Sequence, residues 1–165
     1  MDIYEFAMQM EKEGEDYYRA LAKDSASPGL VKIFTMLADE EVKHFKVIES
    51  LKRKDQSPLA AKTDILQQVK NVFMEMRDTR EYPRIDATKA TQEYSKACAI
   101  EKNSQAFYQE KAEQAEEGHI REIFQRLAKE EARHLAIMEN IVEFVSRPEP
   151  GNWLENAEFH HLEEY

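Results

Sequence analysis

Two short stretches, "LADEEVKHF" (37–45) and "LAKEEARHL" (127–135), each place a glutamate three residues before a histidine: Glu41 with His44, and Glu131 with His134. Another glutamate stands 30 residues before each of these, Glu11 and Glu101. On a helix, side chains three apart share a face, so a Glu-x-x-His pair can aim an oxygen and a nitrogen at one point. One glutamate from each of two helices, with Glu-x-x-His from each of two others, is the donor set of carboxylate-bridged two-metal sites in helical bundles. Hard carboxylate oxygens with a single imidazole per metal suit iron or manganese better than zinc.

Those six residues must be carried by elements that turn them inward. The alternating 3,4 spacing of a buried helical stripe picks out Phe34, Leu37, Glu41, His44, Ile48 and Leu51, and again Phe124, Leu127, Glu131, His134, Met138 and Ile141. The same spacing gives Tyr4, Ala7, Glu11, Gly14, Tyr18 and Leu21, and Tyr94, Ala97, Glu101, Ser104 and Tyr108. A carboxylate thus falls midway along the stripe of each of four helices. Burying one ionised carboxylate without partners costs several kcal/mol, and four together also repel. Either the groups are protonated and hydrogen-bonded, or cations sit among them; two divalent ions balance four carboxylates. Gly14 and Ser104, one turn past Glu11 and Glu101, leave room beside such a cluster.

Tyr18 and Tyr108 follow a stripe glutamate by two turns. Each hydroxyl either orients a ligand carboxylate of the opposite pair, a catalytic support, or belongs to an ordinary core aromatic. Glu40 and Glu130 lie off the stripe and read as solvent-facing charge. Cys98, beside the third stripe, reads as core packing, and His160 and His161 as a surface pair.

The chain repeats itself at an offset of 90 residues. Tyr4, Ala7, Glu11, Lys12, Tyr18 and Ala22 recur as Tyr94, Ala97, Glu101, Lys102, Tyr108 and Ala112. Ile33, Phe34, Leu37, Ala38, Glu40, Glu41, His44 and Glu49 recur 90 residues on as well. Chance would give roughly three matches in this composition, so the fourteen found point to a duplicated helical hairpin. The expected helices span 2–24, 30–53, about 86–116 and about 119–146. The loop between the first two is "SASPG" (25–29), and Pro148 is the stop of the fourth. Residues 54–85 form the crossover, with a short amphipathic helix over 63–78 capped by Thr63 or Asp64 and a loop over 80–86. So long a connection suits a bundle whose second and third helices run parallel. One domain, 1–146, is expected, with a tail over 147–165 whose Trp153, Leu154, Phe159 and Leu162 pack on the bundle or on a second subunit.

Scarce glycine (4) and proline (5) mark an all-α chain, and 165 residues suffice for a sizeable core. A net charge of -10 speaks against nucleic acid or an anionic membrane surface as partner. With Cys98 the single cysteine, no intrachain disulfide or CxxC metal site can form. No apolar leader or spanning segment appears, and a cytoplasmic setting is expected.

"MEKEGEDYY" with "LADEEVKHF", and "IEKNSQAFY" with "LAKEEARHL", resemble the rubrerythrin branch of the ferritin-like superfamily over roughly residues 2 to 146. The resemblance implies a four-helix bundle with two iron ions, manganese or a mixed pair being alternatives. Glu41 and Glu131 would bridge the metals. Glu11 with His44, and Glu101 with His134, would be the terminal ligands. It further implies an oxidoreductase that reduces hydrogen peroxide or dioxygen in oxidative-stress protection, or a protein that oxidises and holds ferrous iron. Rubrerythrins proper end in a four-cysteine rubredoxin-like domain; with one cysteine here, a separate rubredoxin-type donor is expected. Peroxidase members carry a further carboxylate on the third helix, whereas no acid lies here between Glu101 and Glu110. A homodimer is the expected assembly.

Overall fold

A computed structural model describes residues 1–55, 64–81, 85–147 and 149–162, the side chains of His160 and His161 excepted. Thr63, Pro148, residues 82–84 of the expected loop and the last three residues of the tail lie outside the described residues, as does any role of the two histidines. The described elements are helices throughout, with no strand among them.

Helix α1 (Ile3–Asp24) opens on Asp2, whose carboxylate accepts from the Glu5 amide at 2.8 Å. Helix α2 (Pro28–Lys52) starts earlier than its loop residues predict. Ser27 caps it, accepting from Leu30 N at 3.2 Å, and Pro28 takes the first helical position. Proline is at home there, since its missing N–H has no intrahelical partner and its φ is already helical. The expected five-residue loop therefore shrinks to three residues. Helix α4 (Ala87–Gln114) is capped by Asp86, and α5 (Gly118–Ser146) begins at the glycine expected to end the helix before it.

The crossover carries α3 (Ile65–Asp78), with Asp64 at the cap position but making no side-chain capping bond. Its apolar face, Ile65, Leu66, Val69, Val72, Phe73 and Met76, is buried against α2 and α5. Glu81, just beyond it, accepts from Ser27 Oγ at 2.7 Å and from Gly29 N at 3.1 Å. A carboxylate at the positive end of α2 pins the crossover there. Gly29 is needed for that approach, because a Cβ on it would collide with the Met76 side chain.

The direction of the helices follows from who meets whom. Tyr18 reaches Glu101 while Tyr108 reaches Glu11, so α1 and α4 run antiparallel. His44 meets Glu131 while His134 meets Glu41, so α2 and α5 do too. Each hairpin being antiparallel, α2 and α4 are parallel, which is why a crossover is needed.

The core comes in two apolar layers. The larger holds Phe34, Leu37, Val69, Phe73, Ile137 and Phe144, closed by Trp153 and Leu154 of α6 (Pro150–Glu155) and by Phe159 and Leu162 around a following 3₁₀ turn. The smaller holds Ala7, Ile48, Tyr108, Phe124 and Leu127. Between them lies a polar band. The tail packs on this chain's own bundle, with Trp153 fully buried 5.0 Å from Phe73 and 5.3 Å from Phe144, ring to ring.

Candidate metal centre

All six residues singled out by spacing lie in that polar band, each at most 4% exposed. Two groups hold all six, Glu11, Glu41, His44 and Glu131, and Glu41, Glu101, Glu131 and His134, and a third joins Glu40 to His44 and His134. Within each group one donor atom per residue lies within 4.8 Å of the others. Glu41 and Glu131 are common to the two four-residue groups, and each histidine is shared with the Glu40 group.

The contacts cross between the hairpins. His44 Nδ1 is 3.0 Å from Glu131 Oε1 and 3.5 Å from Glu11 Oε2. His134 Nδ1 is 3.0 Å from Glu41 Oε1, 3.5 Å from Glu131 Oε2 and 3.6 Å from Glu101 Oε1. The two imidazoles lie nearly parallel, 8° apart, with centroids 5.4 Å apart. The Tyr18 hydroxyl donates to Glu101 Oε1, and the Tyr108 hydroxyl to Glu11 Oε1. Each tyrosine thus bonds a carboxylate of the other hairpin while its ring packs in an apolar layer.

Gly14 belongs to the site as well. A Cβ there would stand 3.1 Å from Glu41 Oε2 and 3.3 Å from its Cδ, so the glycine makes space for that carboxylate. Ser104, its counterpart in the repeat, is buried on the inward face of α4.

Glu40 and Glu130 correct the sequence reading. Neither faces solvent: they are 6% and 7% exposed, and Glu130 Oε2 lies 2.6 Å from His44 Nε2. The reason is that α2 and α5 are each packed on several sides, α5 against α4, α2, α3 and α6. A single stripe understates what such helices bury. Their recurrence at matching places in both copies was the available signal.

Burial and mutual repulsion set the electrostatics. Burial, then the charges of Glu11 and the other glutamates, push Glu41 and Glu131 well above the carboxylate range. Burial would raise Glu11 too, but His44 and hydrogen bonds from Glu41, His44 and Tyr108 hold it down to about 2. Glu101 is lowered in the same way against its burial, by Glu131, His134 and Tyr18. Burial opposes charge on His44 and His134, yet the surrounding carboxylates raise both well above the usual imidazole value. The Cys98 thiol, half-buried, is pushed up by burial and by Glu139, which keeps it protonated.

The protein's own groups do not finish satisfying this band. Glu11 Oε2, Glu101 Oε2 and Glu131 Oε2 are buried with no hydrogen-bond partner. Each such orphan costs about 1–3 kcal/mol, more for a charged group, and a cation among them removes that penalty. Carboxylate oxygens with one imidazole nitrogen per group fit a pair of divalent first-row metals.

A sequence model of the Rubrerythrin family matches residues 2–82 and 94–159. No match was found among curated proteins or among solved structures. The match spans both hairpins and the six clustered residues, in an all-α ferritin-like bundle. The chain belongs to the Rubrerythrin family.

Proposed function

We propose that Glu11, Glu41, His44, Glu101, Glu131 and His134 hold two iron ions, and that the centre reduces hydrogen peroxide or dioxygen with electrons from a separate donor. What carries this reading is the pair of four-residue donor groups that have Glu41 and Glu131 in common. Two carboxylates common to both groups keep two cations close enough to act on one small molecule. When bound, a ferrous pair supplies the two electrons that, with two protons, turn one peroxide into two waters.

The chain's own residues set the conditions. The Tyr18 and Tyr108 hydroxyls fix one oxygen of Glu101 and of Glu11, leaving the other oxygen of each buried without a hydrogen-bond partner. The apolar layers above and below exclude bulk water, which strengthens every electrostatic interaction between them. Manganese or a mixed pair would meet the same donors. A rubredoxin-type protein would return the electrons, the assembly would be a homodimer, and the physiological role would be oxidative-stress protection.

A second reading, ferrous iron oxidation with iron binding or storage, is favoured by one feature. Beyond Glu101 the inward face of α4 continues with Ser104 and Tyr108, offering no fifth carboxylate. Stopped-flow spectroscopy separates the two. The anaerobic protein, loaded with two ferrous ions per chain, is expected to oxidise faster with peroxide than with air. Equal rates would dismiss peroxide reduction and leave iron oxidation.

A further inference from the structure

The two halves of the centre are not held alike. His44 turns Nδ1 to the centre and Nε2 to Glu130 at 2.6 Å. Glu130 is gripped from its other side as well, its Oε1 lying 3.6 Å from Arg126 Nε. The repeat places Glu40 where it should serve His134 in the same way. Glu40 is just as buried, but it bonds outward to Lys43 Nζ at 3.4 Å, and its Oε2 has no hydrogen-bond partner. It offers an oxygen within 4.8 Å of a nitrogen of each histidine, yet no hydrogen bond or ion pair joins it to His134 among the described residues.

An imidazole that gives Nδ1 to a metal must carry its proton on Nε2. A carboxylate placed at Nε2 fixes that tautomer, stops the ring from turning and makes Nδ1 a better donor. His44 has this support and His134 lacks it. Resting on the six-ligand reading above, we infer that Glu130 is a positioning residue for His44 and makes the Glu11–His44 position the tighter of the two. Metals are then taken up in order, the Glu11–His44 position first and the Glu101–His134 position second.

Cobalt(II) titration of the metal-free full chain, followed by calorimetry and visible absorption, tests this. Wild type is expected to show two steps separated by about tenfold or more in affinity. Glu130→Ala is expected to weaken the first step by about 10–100-fold and merge the two. Glu130→Gln keeps an acceptor oxygen for the Nε2 proton and recovers most of the loss; it also serves as the test should the alanine variant lose its helical circular dichroism. Glu40→Ala leaves both steps in place. Equal steps in wild type overturn the inference, as does Glu40→Ala weakening the same step as much as Glu130→Ala. A wild-type protein that takes up no cobalt overturns the ligand set itself, a different and separable failure.

Discussion

At mid-height the bundle buries six glutamates and two histidines. At the end where α3 and the tail close over it, it buries Phe73, Phe144, Trp153 and Phe159 against one another. The aromatic end is held by packing, with Trp153 Nε1 the one polar atom of these four rings and buried without a hydrogen-bond partner: each ring removed from water contributes about 1.5–3 kcal/mol, and the pairs meet edge-on, tilted or, for Phe73 and Phe159, stacked. The middle instead crowds buried carboxylates, three of whose oxygens in the candidate ligand set have no hydrogen-bond partner. Stability and chemistry thus reside in different layers of one bundle. The ends hold the helices in place so that the centre can afford its repulsion.

The sharpest way to break this comparison is to empty the middle. Glu41→Ala with Glu131→Ala should abolish the binding of two metals per chain, measured by elemental analysis. The urea midpoint of the metal-free protein should hold or rise, because two carboxylates that resist ionisation have gone. Retention of two metals would mean that the bridging ligands lie elsewhere. Attacking the other layer should do the reverse. Trp153→Ala should cost about 3–5 kcal/mol in chemical denaturation, while chains that remain folded still bind two metals.

Acid should act on the middle alone. His44, His134, Glu41 and Glu131 all have raised values, so the metal-free centre holds protons at neutral pH. Metals must displace those protons, so affinity rises with pH and falls on acidification. About tenfold per pH unit for each proton released is expected in a titration between pH 7 and 5. A flat profile would show that no ligand proton is displaced. The smallest effect belongs to Gly14→Ala. Helix propensity alone would stabilise the chain by roughly 0.8–1 kcal/mol, yet the added methyl crowds Glu41. Metal affinity should fall by about tenfold while the melting temperature does not fall, the two layers responding in opposite senses.

Much of the architecture was legible in advance because it depends on local signals. The 3,4 stripe gives the inward face of each long helix, while the one cap read in advance among the described residues, Asp64, stands at its position without a capping bond. The six donors lie on that stripe, and the structure gathers them. Glu130 was not legible, for a geometric reason. It sits about 100° around the helix from Glu131, off any single stripe, and its burial depends on how many neighbours α5 has. Consecutive buried residues such as Ala136, Ile137 and Met138 show how much of that helix is covered. Pro28 misled for the opposite reason: the residue that breaks a helix in its interior is among the best to begin one.

Trp153, Phe159 and Leu162 come after all six donors in the order of synthesis. A chain leaving the ribosome has therefore made its entire acidic centre before it can cover Phe73 and Phe144. Until Trp153, Phe159 and Leu162 emerge, a sticky aromatic surface stays open beside helices that are otherwise ready to dock. The aromatic layer is therefore completed later than the acidic one.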